Sequence, residues 1–320
     1  MISDRNDLPE MKGDELIRKL KTAVCSERYP ILCQWEITCR CNLRCKMCYT
    51  DCFNRPDKIK EELATDEILR ILDEMGDAGV LEVILTGGEP LARADFKEIY
   101  THAVSRGFLT TVFTNGTLID SPTLEMWEAY PPAMIEISYL GADPATFDLI
   151  AAVGGTFERV NRGMERILKA GLPLTIKTTA MTLNRDEIGR IASWARKYPQ
   201  ARFKLGTEIR LALDGSSLRH FELPDHELDQ WIGAAPELVK DAQRRHEEET
   251  RDQGCHEGKN RFHIDAYGNL QLCSANRRQG YNLRTGNFKE GFYNHLRCFP
   301  CPRKRSASKE EMESSVHASV

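Results

Sequence analysis

The sequence predicts an α/β fold, either a barrel or a doubly wound parallel sheet, with a smaller unit behind it. Six short apolar runs alternate with amphipathic helical patterns, and the alternation stops after the sixth run. Strand patterns fall at 34–37, 80–86, 109–114, 134–138, 174–179 and 203–211. Being short and mostly apolar, they read as strands covered on both faces. Thr65 is the expected N-cap of a first helix, with Asp66 and Glu67 in its first turn and Ile68, Ile71, Leu72 and Met75 on one face. Thr156 opens another, with Phe157, Val160, Met164, Ile167 and Leu168 aligned and Gly171 and Pro173 stopping it. Helical patterns at 95–105, 122–130 and 185–197 complete the alternation. Then a polar helix is expected over 225–245 and a charged linker over 246–252. Two strands at 262–265 and 270–273 follow, joined through Ala266-Tyr267-Gly268-Asn269. From Arg303 onward the composition reads as disordered.

Composition narrows the function classes. The chain has 320 residues, 44 Lys+Arg against 48 Asp+Glu, a hydrophobic share of 41% and a charged share of 29%. These values fit a globular enzyme and exclude global disorder, collagen and a membrane bundle. The best apolar run, 80–85, is short and interrupted by Glu82, so no membrane association is expected. The polar N-terminus lacks the apolar core of an export signal, which makes the cytoplasm the expected location. Near-balanced charge argues against nucleic acid as the main partner.

Cysteine stands out. There are 11: seven between Cys25 and Cys52, then Cys255, Cys273, Cys298 and Cys301. In a reducing compartment, grouped thiols point to metal binding or catalysis rather than disulfides. Cys41, Cys45 and Cys48 form a C-x3-C-x2-C triplet. Three close thiolates grip three corners of a cubane and leave the fourth metal open, whereas structural zinc wants four ligands. Cys39 and Cys52 as extra ligands keep the zinc reading open.

The triplet, with Asn42-Leu43-Arg44 inside it and Tyr49 after it, closely resembles the signature of the radical S-adenosylmethionine (radical SAM) superfamily. The resemblance continues through Thr86-Gly87-Gly88-Glu89-Pro90, Thr114-Asn115-Gly116-Thr117 and Ile135-Glu136-Ile137-Ser138, covering roughly 31–212. It implies a partial (βα)6 TIM-like barrel with a small C-terminal α+β auxiliary-cluster domain. It also implies a 4Fe–4S cluster on Cys41, Cys45 and Cys48 whose open iron binds S-adenosylmethionine. Gly87 and Gly88 would let bare backbone approach the ligand, and Glu89 would meet the SAM ammonium. Asn115 belongs to the same cofactor-binding set. Ser138 would bond the ribose, with capping of the next turn as the alternative, and Tyr49 would stack on adenine or fill the core. Relatives often carry a basic residue about a dozen positions after Ser138. Here 147–151 holds none, so Lys177 or Arg210 is the candidate for the SAM carboxylate. The implied chemistry is one-electron cleavage of SAM to a 5′-deoxyadenosyl radical that abstracts a substrate hydrogen, with flavodoxin or ferredoxin as electron donor.

Cys255 and Cys273, with seventeen residues between them, and the Cys298-Phe299-Pro300-Cys301 pair resemble the SPASM or shorter twitch extension of this superfamily. Four cysteines suit one fully ligated auxiliary 4Fe–4S cluster, with structural zinc as the alternative. The expected division is an N-terminal helical segment 1–30, barrel 31–220, helical linker 221–252, auxiliary domain 253–302 and tail 303–320. Residues 136–147 and 154–157 look like enzymes that modify ribosomally made peptides. The favoured substrate is therefore a peptide, crosslinked, oxidised or given a thioether. About 30 residues precede the first strand, against the ~80 of a peptide-recognition domain, so a separate recognition protein is an expected partner. Oxidation of a small-molecule alcohol, a sugar or aminocyclitol, is the alternative. A non-catalytic cluster module is disfavoured because Gly87-Gly88-Glu89 would then have no task. Cys25, Cys33, Cys39 and Cys52 read as small buried hydrophobes, with Cys33 or Cys39 also candidate hydrogen-atom donors. Glu208 and Asp214 are candidate bases, or simply surface charges.

Overall fold

A computed structural model describes residues 28–50, 56–228 and 258–300. Cys25, Cys52, Cys255, Cys301, the tail and most of the N-terminal segment and linker lie outside the described residues.

Among the described residues, nine strands form one sheet in the order β6-β5-β4-β3-β2-β1-β7-β8-β9. β1 (Leu32–Thr38), β2 (Glu82–Gly87), β3 (Leu109–Thr114), β4 (Met134–Ser138), β5 (Leu174–Thr179) and β6 (Arg202–Gly206) are all parallel. The connecting helices are α1 (Thr65–Asp77), α2 (Phe96–Ser105), α3 (Ser121–Ala129), α4 (Pro144–Ala151), α5 (Thr156–Lys169) and α6 (Ile188–Ala195). This is the α/β partial barrel that the sequence predicts. It stays open because the far side of β1 is taken by β7 (Arg261–Ile264), also parallel, and not by β6. β8 (Asn269–Gln271) and β9 (Tyr281–Asn282) then run antiparallel.

The strands are two-faced, not apolar on both sides. Cys33, Trp35, Ile37, Val83, Leu85, Val112, Ile135, Ile137 and Ile176 are fully buried on the helix-covered face. Alternation turns Glu36, Thr86, Phe113, Glu136, Ser138, Lys177, Lys204 and His263 to the other face. Their register confirms it: Glu36 pairs with Thr86, Phe113 with Glu136, Ser138 with Lys177, and Lys177 with Lys204. A polar inner face is what an open barrel needs if it is to hold a ligand rather than a packed core.

Local chemistry departs from the sequence reading at three places. Thr65 does not cap α1; it is the first helical residue, and its hydroxyl donates to Asp95 while Glu67 accepts from the Ala64 amide at 2.8 Å. α5 is capped by Asp148 of α4, whose carboxylate accepts from the amides of Gly155, Thr156 and Phe157 at 2.6, 2.9 and 3.0 Å. α4 itself escaped the periodicity reading, although Asp143-Pro144 supplies both a cap, accepting from Thr146 N at 3.0 Å, and a first-turn proline. The sixth strand ends at Gly206, the last residue paired with β5, so 207–217 is a loop.

The segment after residue 258 is welded to the barrel. Phe288, Phe292 and Leu296 are fully buried, and the Phe288 and Phe292 rings lie 5.1 and 5.4 Å from Phe262 of β7. Glu74 of α1 accepts from Phe288 N at 2.7 Å, and Arg70 donates to the Leu283 carbonyl at 2.7 Å. The helix expected at 225–245 begins at Asp225 and leaves the described residues after Leu228.

Gly163 tests the packing of α5. A Cβ there would collide with the carbonyl oxygen of Gly116 in the turn after β3. Alanine favours a helix over glycine by ~1 kcal/mol, but overpacking costs ~1–3. Gly163→Ala should therefore lower urea-unfolding stability by about 1–2 kcal/mol; a gain would refute the close approach.

Candidate active site

At the carboxyl end of β1 the cysteine loop is clamped from four sides. Glu62, 3% exposed at its side chain, accepts from the Thr38 hydroxyl and the Cys39 amide, both at 2.7 Å, and pairs with Arg40 at 3.3 Å. The amides of Gly88 and Glu89 donate to the carbonyls of Thr38 and Arg40 at 2.9 and 2.7 Å. A Cβ on Gly87 or Gly88 would strike those same carbonyls, and Gly87 sits at φ 141°. Both glycines are thus demanded by contact between two backbones. On the far side, the Arg44 and Lys46 amides donate to Ala151 and Ile150 at 3.0 and 2.9 Å, satisfying terminal carbonyls of α4.

Glu89 is fully buried. Its Oε1 accepts from the Thr114 hydroxyl at 2.7 Å and the Leu91 amide at 3.1 Å, and its Oε2 from the Asn115 amide at 2.6 Å. Burial pushes it up to about 7, against these hydrogen bonds, which pull the other way. Asn115 in turn donates to Asn42 Oδ1 at 2.9 Å and reaches Cys41 Sγ at 4.0 Å, while the Leu43 amide lies 3.4 Å from the same sulfur. Cys48 Sγ and the Thr50 hydroxyl are 3.1 Å apart.

Two charge clusters occupy the inner face. Glu36 receives both arms of Arg277, at 2.7 and 2.5 Å, and His263 Nε2 lies 3.6 Å away. Burial alone would raise the Glu36 carboxyl, but Arg277 and His263 hold it well below the usual carboxylate range. Arg277 and Arg210 each sit 5.4 Å from the Tyr49 ring, and burial pushes the Tyr49 hydroxyl up to about 12. Further along, Glu136 is held by Lys177 at 3.5 Å and Lys204 at 3.1 Å.

Residues 35–195 match the family model for the radical SAM superfamily. The chain belongs to the radical SAM superfamily. Over 168 residues it is 34% identical to an AdoMet-dependent heme synthase of Methanosarcina barkeri, covering 52% of this chain and 48% of that one. Over 164 residues it is 31% identical to a PqqA peptide cyclase of Granulibacter bethesdensis, covering 50% and 42%. The chain therefore spans about half the length of the curated relatives it matches. Among solved structures, SuiB of Streptococcus suis bound to S-adenosylmethionine superposes with a TM-score of 0.66 at 16% identity, over 94% of this chain and 75% of that one. The anSMEcpe enzyme with bound AdoMet and a Cp18Cys peptide gives 0.63 at 16%, over 83% and 81%. These likenesses show a shared fold.

Membership implies a 4Fe–4S cluster and S-adenosylmethionine, and the radical SAM loop fits the cluster. Its three thiols are partly exposed, and Cys41 already has N–H groups facing its sulfur, as cluster sulfurs prefer. Among the described residues no three metal-binding side chains gather round a single-ion position.

The other expected residues scatter. Cys33 is fully buried on the helix-covered face, opposite Glu36, and burial raises its thiol well above the ordinary value. Cys39 is partly buried and hydrogen-bonded to the Tyr267 hydroxyl. Ser138 is exposed at the end of β4, with no hydroxyl partner among the described residues. Glu208 is 59% exposed and 3.8 Å from Arg210, whose guanidinium donates to Ser274 at 2.6 Å. Asp214 accepts from the Ser216 amide at 2.8 Å within an exposed turn. Cys273 is partly buried just after β8, and Cys298 is exposed. Sequence reasoning missed Glu36, Glu136, Lys204, His263 and Arg277. The two glutamates carried a signal, a charge inside an apolar strand; Arg277 carried none.

Two expectations follow. Arg277→Met strands a buried carboxylate and should cost about 3–5 kcal/mol in chemical unfolding, with Glu36→Gln in the same chain recovering much of it. For Glu89, the folded chain keeps its proton to higher pH than the unfolded chain. Its contribution to stability therefore falls as pH rises from about 4.5 to about 7, by on the order of 3 kcal/mol. Urea midpoints of the iron-free chain should show that slope in the wild type and lose it in Glu89→Gln.

Proposed function

We propose that this chain is a radical SAM maturase that modifies a ribosomally made peptide. The observation that carries the reading is the cysteine loop, locked at the carboxyl end of β1 beside a polar, open inner face. Cys41, Cys45 and Cys48 would hold the cluster, and Asn115 and the Leu43 amide would tune it. When bound, cluster and cofactor together supply a 5′-deoxyadenosyl radical for hydrogen abstraction. Glu89 holds the ends of β2 and β3 together through Thr114 and Asn115. The peptide assignment is supported by the PqqA peptide cyclase relatives and by the fold shared with SuiB, solved with its precursor peptide SuiA. The heme synthase relatives, matched over a similar stretch, favour a small-molecule substrate as the second reading.

Cys255, Cys273, Cys298 and Cys301 are proposed to hold an auxiliary cluster. Gly258, three residues after Cys255, packs so closely on Leu272 that a Cβ would collide with it. Asn276 donates to the carbonyl of Pro300, next to Cys301, at 3.0 Å. Both contacts draw the flanking segments towards Cys273.

Anaerobic reconstitution should load about eight irons per chain, and the C41A/C45A/C48A variant about four. The wild type should convert SAM to 5′-deoxyadenosine and the variant should not. Stoichiometric zinc without iron would overturn the assignment.

A further inference from the structure

Among the described residues, the inner face between β4 and β6 carries a surplus of positive charge. One carboxylate, Glu136, serves two ammonium groups: Lys177 at 3.5 Å and Lys204 at 3.1 Å. Glu136 is 8% exposed at its side chain, whereas Lys177 and Lys204 keep 35% and 37%. The acid is therefore spent inside the wall, and the cations face the opening. Arg210, 33% exposed, adds a third positive charge near enough to act on Lys177. Its own acidic neighbour, Glu208, is the more solvent-exposed of that pair. Lys177, Lys204 and Arg210 against Glu136 and Glu208 leave one positive charge among the described residues, at the lysine pair, on a concave surface where low-dielectric walls strengthen the field. The patch borders the reaction centre, because Arg210 covers the Tyr49 ring and Tyr49 directly follows Cys48.

We propose that Lys204, with Lys177 beside it, seats a carboxylate of the substrate, so that the substrate of this radical SAM barrel is an acidic molecule. The inference rests on the radical SAM reading for its location and adds the chemical class of the substrate. An ammonium pair around a shared glutamate gives a carboxylate a two-point seat, with Glu136 keeping both lysines oriented while the site is empty of substrate. A neutral amide of the same shape offers no charge to the surplus and would leave both ammonium groups as they were.

The test uses the cluster-loaded full chain at saturating SAM. An N-acetylated, C-amidated Ala-Glu-Glu-Ala peptide and its Gln-Gln counterpart, each with an uncharged fluorophore, are compared by fluorescence anisotropy. The acidic peptide should bind at least tenfold more tightly, and the preference should shrink as salt rises. Lys204→Gln should abolish most of the preference, Lys204→Arg should keep it, and Lys169→Gln, on the exposed side of α5, should leave it unchanged. Equal binding of the two peptides overturns the proposal, as does a preference that survives in Lys204→Gln. A preference seen only without SAM also overturns it, because the lysines would then serve the cofactor's carboxylate. The functional reading fails separately, through absence of 5′-deoxyadenosine from the wild type, and the peptide comparison does not depend on that result.

Discussion

Everything at the site depends on one backbone contact, the approach of Gly87 and Gly88 to the carbonyls of Thr38 and Arg40. No side chain fits between them. The contact sets where the chain leaves β1, and with it the position of a loop that has no regular structure of its own. From there the hydrogen bonds run outward in order: Glu89 to Thr114 and Asn115, Asn115 to Asn42, and the loop amides to the end of α4. A loop carrying three thiols would otherwise lose a large conformational entropy on closing round a cluster. Here the barrel's own hydrogen bonds hold the loop.

The second constraint is electrostatic. Burying Glu36 and Glu136 in strands is costly unless each is paired, and the fold pairs them differently. Glu36 is matched by a bidentate arginine, so it joins β1 to the loop after β8 and leaves little field beyond. Glu136 is outnumbered, so it orients lysines that keep charge to spare. One pairing fastens the C-terminal segment to the barrel, and the other shapes the surface that a substrate would meet.

Much of the fold was legible in the chain. Apolar periodicity located β1 to β5 and most helices to within a few residues, because core-facing positions repeat with the period of the element. Caps were less legible. Thr65 and Thr156 look like N-caps, yet their helices are served by Glu67 and by Asp148, the latter from the preceding helix. The sixth strand was overextended because Ile209 and Ala212 are buried in a loop, where burial mimics strand periodicity. The inner face was read as apolar because occasional charges within apolar runs do not announce which side they take.

By itself the sequence determined the parallel α/β rhythm and the cysteine triplet that marks the radical SAM superfamily, since both are patterns of close spacing. It also named Gly87, Gly88 and Glu89, whose contacts hold the ends of β1, β2 and β3 together. Only the tertiary structure decided which charges meet. Arg277 lies 241 positions from Glu36, and Lys204 lies 68 from Glu136. Strand order and register bring such residues together, and pairing across that distance leaves no periodic trace in the chain.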